Sequence, residues 1–231
     1  MKKVLFAFLS ASILAVSCSK DDPIPTAPVA TKYMNTTAGS TWNYAYNDIA
    51  DPTNDYNYTV TSTNRDTTAA GKSFHVFENT SNGNEYYNIT ANDYFTMQAF
   101  NLGATDTTIL NLYLKTGAAV NTSWLQSFNI DAGLGTPITV NMTNKIQETG
   151  ISRVVGSNTY TNVIHVVTTI GIPILSTPLF FGSSISTNIH FYYAPNYGMI
   201  ENNSKIDLVV PAATIDIHTN TKTTLQSATL L

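Results

Sequence analysis

The residues of this 231-residue chain whose types and spacing could do chemistry are few: four histidines, one cysteine and scattered aspartates. In ATIDIHTN, Asp216 and His218 stand two apart, so on a strand they share a face. Such a pair can orient a proton or supply half a metal site. A complete zinc or catalytic centre needs further ligands that no nearby pattern provides, so a surface hydrogen bond is expected and no metal. In HVFE, His75 and Glu78 are three apart and face opposite sides of a strand. His165 and His190 carry no motif. The stretch NDIADPTND clusters Asp48, Asp51 and Asp55 with Asn47 and Asn54, an oxygen-rich loop of the kind that holds extracellular calcium. It lacks the glycine and spaced acidic ligands of a calcium loop, so a solvated turn is expected. No Gly-x-Ser-x-Gly elbow, phosphate-cradling glycine loop or His-Glu-x-x-His occurs. No catalytic residue is assigned, and the chain is expected not to be an enzyme.

The single cysteine, Cys18, cannot form an internal disulfide. It follows MKKVLFAFLSASILAVS, where Lys2 and Lys3 precede a mostly apolar run from Val4 to Val16. That run is shorter than the ~20 apolar residues of a spanning helix and has the form of a secretory signal, with Ser17 as the small residue before a cut. LAVSC resembles the lipobox of bacterial lipoproteins. The resemblance implies cleavage after Ser17, acylation of Cys18 and attachment to a membrane through that lipid, with no other cofactor. One acyl chain holds a protein only marginally, so a multiply acylated cysteine is needed. The following Ser19, Lys20, Asp21 and Asp22 resemble the lysine-then-acidic export signal of Bacteroidota surface lipoproteins. That implies an outer-membrane protein exposed at the cell surface. PIPTAPVA, with three prolines in eight residues, reads as an extended spacer. The expected organisation is a signal over 1–17, a lipidated cysteine and linker over 18–32, and one β domain over 33–231.

The elements that must position any site read as strands. Charged residues make up 11% of the chain, while 13 Tyr and 10 Phe carry much of its apolar mass. Threonine and aromatic residues favour a pleated, half-buried surface. Eleven Lys and Arg oppose fifteen Asp and Glu, and removing Lys2 and Lys3 makes the balance more negative still. Such a chain has no attraction to nucleic acid. TWNYAYND places Trp42, Tyr44 and Tyr46 on one face, and YNYTVT does the same with Tyr56 and Tyr58. GKSFHVFENTSNGNEYYNIT reads as a hairpin around Asn82-Gly83. NDYFTMQAF, TTILNLYLK, TPITVNMTNKIQ, ISRVVG, NTYTNVIHVVTT, TNIHFYY, SKIDLVV and ATIDIHTN continue the pattern. The apolar run IGIPILSTPLFFGSSI, broken by Pro173 and Pro178, is expected as a buried crossover capping one end of the sheet.

AGSTWNYAY near the start and FYYAPNYGMIE near the end resemble a group of uncharacterised Bacteroidota lipoproteins. These share a Gly-x-x-Trp-x-Tyr opening and a Tyr-Ala-x-x-x-Gly-hydrophobic turn. GISRVVGSNTYTNVIHV resembles their strand–turn–strand centre. The resemblance implies an all-β domain: one large, strongly curved antiparallel sheet or half-barrel of about 10–13 strands, like lipoprotein carriers and lipocalins. It implies no activity. Trp42, Tyr44, Tyr46, Tyr56 and Tyr58 are the expected ligand face, for an apolar small molecule or a glycan. An outer-membrane protein is the alternative partner. Asp66-Thr67-Thr68 and Asp106-Thr107-Thr108 resemble the O-glycosylation acceptors of Bacteroidota, which makes Thr67 and Thr107 candidate sites.

Overall fold

The structure is a computed structural model that describes residues 31–100, 107–131, 137–211 and 214–231. The expected signal, Cys18, Ser19, Lys20, Asp21 and Asp22 lie outside the described residues.

Period-two alternation produces twelve antiparallel strands. They are β1 (Thr41–Asp48), β2 (Tyr56–Ala69), β3 (Lys72–Asn79), β4 (Gly83–Thr90), β5 (Asp93–Phe100) and β6 (Thr107–Lys115), then β7 (Ser123–Ile130), β8 (Ile138–Val155), β9 (Asn158–Gly171), β10 (Ser184–Ala194), β11 (Gly198–Val210) and β12 (Ile215–Thr229). They form one sheet ordered β6-β5-β4-β3-β2-β1-β12-β11-β10-β9-β8-β7, rolled almost into a closed barrel. All neighbours are consecutive in the chain except β1 and β12, which pair from Thr41↔Thr229 to Asp48↔Thr221. The expected all-β, strongly curved single sheet is what the chain forms. No helix among the described residues is long and apolar enough to cross a membrane.

The two free edges, β6 and β7, meet without a backbone ladder. Gln126 Oε1 accepts from Leu112 N at 2.8 Å, while Gln126 Nε2 donates to Asn111 Oδ1 at 2.9 Å and Leu112 O at 3.1 Å. Trp124 Nε1 and Asn144 Nδ2 also donate to Leu112 O, at 2.7 and 3.2 Å. Side chains thus satisfy the Leu112 N–H and C=O, which a closed ladder would otherwise pair.

Three apolar clusters fill the roll. Trp42, Tyr44, Val60 and Phe77 pack with Val155, Tyr160 and Val163 from the β8–β9 hairpin. Tyr33, Tyr94, Leu114, Ile146, Ile164 and Tyr193 form the second. Ile109, Ile130, Ile138, Val140, Leu208 and Val210 form the third, together with Ile172 and Phe180 from the Pro-interrupted run. That run folds as two 3-10 turns, Pro173–Ser176 and Pro178–Phe180, because each proline fits a first-turn position that needs no N–H. Among its described residues the expected buried crossover is buried only at Ile172 and Phe180; Pro173, Ser176, Thr177, Pro178 and Phe181 of the same run are exposed, Phe181 at 91%.

Turn chemistry sets the register locally. Asn79 Oδ1 accepts from Ser81 N and Asn82 N, and Gly83 takes φ +78, which closes the β3–β4 hairpin. The β10–β11 return runs through Pro195, with Asn196 at φ +67 and Gly198 at φ +71. One expectation is corrected and one strand is added. TPITVNMTNKIQ and ISRVVG form one strand, β8, because Gly150 at φ +69 and three register irregularities between Ile146 and Arg153 bend it without ending it. SWLQSFNI, which no expectation marked, is β7; its inward Gln126 and outward Leu125 blur the apolar alternation that signals a strand.

Candidate functional site

The alternation that builds the wall also points aromatic side chains inward. Trp42, Tyr44 and Tyr46 of β1 register with Val60, Tyr58 and Tyr56 of β2. Tyr44 and Tyr58 stack with ring centroids 5.2 Å apart, and Tyr44 Oη donates to Met199 O at 2.8 Å. Tyr87 and Tyr113 meet edge to face at 6.0 Å. These large, inflexible rings prop the wall apart, and a cavity of 310 Å³ remains between the clusters. Its lining includes Trp42, Tyr44, Tyr58, Tyr87, Tyr113 and Phe191, with Met34, Met142 and Met199. The volume lies at the lower end of small-molecule sites, ~300–1,000 Å³, and is about twice that of an apolar cavity that accepts benzene (~150 Å³). Methionine suits such a lining because its unbranched chain adapts to different occupants.

Polar groups are sparse and mostly satisfied. Thr168 Oγ1 donates to Asn144 Oδ1 at 2.6 Å, and Asn111 Oδ1 is held by Gln126. Glu85 is the only acidic lining residue among the described residues; Tyr87 Oη donates to its Oε2 at 2.8 Å and Asn79 Nδ2 to its Oε1 at 2.5 Å. Burial first, and the Glu85 charge second or third, hold the Tyr58, Tyr87 and Tyr113 phenols above their ordinary range; for Tyr44, burial, Tyr58 and Glu85 act in that order. All four therefore stay neutral, as aromatic surfaces rather than proton carriers. Trp42 Nε1 is buried and has no acceptor in the structure, a cost of about 1–3 kcal/mol beside the cavity.

The expected ligand face therefore divides. Trp42, Tyr44 and Tyr58 line the cavity; Tyr46 and Tyr56 stack on each other at 4.7 Å and do not line it. Thr67 and Thr107 are half-buried at strand positions. Asp216 Oδ1 lies 2.8 Å from His218 Nε2, the expected surface contact, and Asp207 Oδ1 lies 2.8 Å from His218 Nδ1. Hydrogen bonds to Asp207 and then Asp216 raise the His218 pKa. In the aspartate loop, Asp48, Asp51 and Asp55 accept from backbone N–H groups and from Asn47, Asn54 and Thr53, as a self-satisfied turn does. No group of three or more His, Cys, Asp or Glu among the described residues is arranged to hold a metal.

Two side-chain constellations escape sequence reasoning. Ser62 Oγ lies 2.9 Å from His75 Nε2, and His75 Nδ1 lies 2.8 Å from Asp66 Oδ1, the order of a nucleophile–base–carboxylate relay. Ser62, however, is 1% exposed and pinned by Gly39 and Ser40 backbone bonds, and it does not line the cavity. The trio's hydrogen bonds tie β2 to β3. The second constellation spans β8 to β12. His165 contacts Glu148 and His190 at 2.8 Å each and stacks on Tyr192 at 4.2 Å. Arg153 lies 3.4 Å from the Tyr192 ring centroid and donates twice to Glu201, at 3.1 and 2.8 Å. Burial would raise the Glu201 pKa, but hydrogen bonds from Arg153 and Asn203, then the Arg153 and Lys222 charges, bring it below the usual value.

No family model matches the chain, and no curated protein matches it. A solved structure described as a "putative lipoprotein" from Parabacteroides distasonis ATCC 8503 is similar in shape. It shares 12% sequence identity, covers 86% of this chain and 99% of its own, and has a TM-score of 0.44. A likeness at this level carries no information about ligand, partner or location.

Proposed function

We propose that this chain is a lipid-anchored protein of the bacterial outer membrane, exposed at the cell surface, whose barrel holds a small and predominantly apolar ligand in its interior. The observation that carries the binding half is the cavity itself. A domain of this size ordinarily closes its core to crystal-like density. Here aromatic pairs hold open 310 Å³ of mainly apolar space. The interior is mainly apolar, and outward rungs such as Asn43–Ser227 and Thr59–Asn43 are polar, the reverse of a barrel that spans lipid with its strands. An anchor on Cys18 therefore supplies the membrane attachment in this reading.

Two measurements test it. Radiolabelled palmitate should enter the protein and be lost in Cys18→Ser, which should leave the membrane fraction; retention of either property in the variant refutes the anchor. Native mass spectrometry of the full chain from its own membranes should show a bound small molecule, and adding it to emptied protein should raise the melting temperature. An empty cavity together with stoichiometric co-purification of one outer-membrane protein would select a docking role instead.

A further inference from the structure

The barrel wall is incomplete between β4 and β5. Their ladder runs from Thr90↔Asp93 only as far as Tyr86↔Met97. Beyond it, β4 continues through Glu85 along β3, and β5 continues through Gln98 along β6. The strands diverge at a cleft of 510 Å³ lined by Asn84, Glu85, Met97, Gln98 and Thr108 among others. Glu85, Tyr87, Thr96 and Gln98 line both this cleft and the interior cavity. The cleft and the cavity thus adjoin across these four residues, and Glu85 stands at the threshold between them.

Glu85 has no cationic partner among the described residues. The nearest guanidinium in the local register, Arg65, pairs with Glu78 at 2.8 Å. Glu78 registers with Asn84, and Phe77 with Glu85, so Arg65 and Glu85 belong to opposite faces of the sheet. Asn79 Nδ2 and Tyr87 Oη each donate one hydrogen bond to the carboxylate, and the neutral rings of Tyr44, Tyr58, Tyr87 and Tyr113 line the same cavity. A carboxylate in an aromatic-lined cavity, with neutral donors and no protein cation to balance it, is the chemistry that selects an ammonium group. A carboxylate or phosphate head would meet repulsion there. The apolar space beyond, with Met142, Ile170 and Ile189 in its wall, fits a short aliphatic or aromatic body.

Building on the cavity-binding reading, we propose that the ligand is a cationic amphiphile. It enters between β4 and β5, and its ammonium head rests on Glu85 with its apolar body in the barrel.

Calorimetric titration of the full chain with octylammonium, octyltrimethylammonium, octanol and octanoate, all below micellar concentration, tests this. Both cations should bind at least about tenfold more tightly than octanol, with octanoate weakest. Glu85→Gln should bring the cations to within about threefold of octanol. Gln98→Lys, which puts a competing cation on the same threshold, should weaken the cations and strengthen octanoate; it keeps the test alive should Glu85→Gln fail to fold. Equal affinity for all four probes overturns the charge assignment and leaves the cavity reading standing. A cation preference that survives both substitutions overturns it as well. No binding of any probe overturns both readings.

Discussion

The seam between β6 and β7 can be tested by replacing Gln126 with alanine. Its amide gives Leu112 N an acceptor at 2.8 Å and donates to Asn111 Oδ1 and Leu112 O. Leu112 O keeps donors from Trp124 and Asn144, so the loss falls on one backbone N–H and one asparagine oxygen. A buried donor stripped of its partner costs about 1–3 kcal/mol, and because these groups are part-buried a value of about 2 kcal/mol is expected for the pair. For a domain near 200 residues each kcal/mol moves the melting temperature by about 2–4 °C, so Gln126→Ala should melt about 4–8 °C lower. Opening along the seam should also become about thirtyfold more frequent, since 1.4 kcal/mol is a factor of ten. Hydrogen-exchange mass spectrometry should show this as faster exchange in Thr107–Lys115 and Ser123–Ile130, with β1 and β12 unchanged. A melting temperature within 1 °C of the parent, or protection lost evenly over all strands, would refute the view that side chains alone close the wall.

Arg153→Met should cost about 2–3 kcal/mol in urea unfolding, near the lower end for breaking a buried pair, because Lys222 remains 3.4 Å from Glu201, itself 4% exposed. The Glu201 pKa is lowered on folding, so its contribution is present above the ordinary carboxylate value, near 4.5, and fades as pH falls through the lower folded value. Acid unfolding curves of the parent and of Arg153→Met should therefore converge below about pH 4.5. His190 has its pKa lowered by burial and then by the His165 and Arg153 charges facing it, with Glu148 behind His165 and Asn188 at its other nitrogen. The folded protein thus resists protonating it, and stability should decline as pH drops below about 6.5. Melting temperatures between pH 7 and 5 should show a flatter decline in His190→Gln than in the parent. His218 runs the other way: its raised pKa favours the fold at low pH and that gain is lost as pH rises through the folded value.

What the sequence made legible follows strand periodicity. Trp42, Tyr44 and Tyr58 alternate in an ordinary extended ladder, so their inward direction could be read from spacing, and Pro195 with Gly198 announces its turn through fixed and permitted φ values. Tyr46 and Tyr56 follow the same alternation but sit where the paired strands run past the cavity, and a period of two cannot mark where a cavity ends. Gly150 looks like a boundary and is a bend, because only long-range pairing with β9 decides whether a left-handed residue interrupts a strand. The Ser62–His75–Asp66 trio depends on the register irregularity between Ser62 and Asp66, which puts Asp66 opposite His75. His165 and His190 meet through the register of β9 with β10, where Tyr192 is opposite His165. Glu85 had a signal, since it shares a strand face with Tyr87 in GNEYYNIT. Only the missing β4–β5 rungs reveal that this face borders an opening.

The pairing of β1 with β12 has a consequence for how such a chain is made. Everything up to Val210 can be in place while only the side-chain seam of β6 and β7 joins the two half-walls, because Thr41–Asp48 waits for residues 215–229. A polypeptide leaving the ribosome stays unlocked until its last strand has emerged. Until then the open edges of β1 and β11 are free to pair with a neighbouring copy.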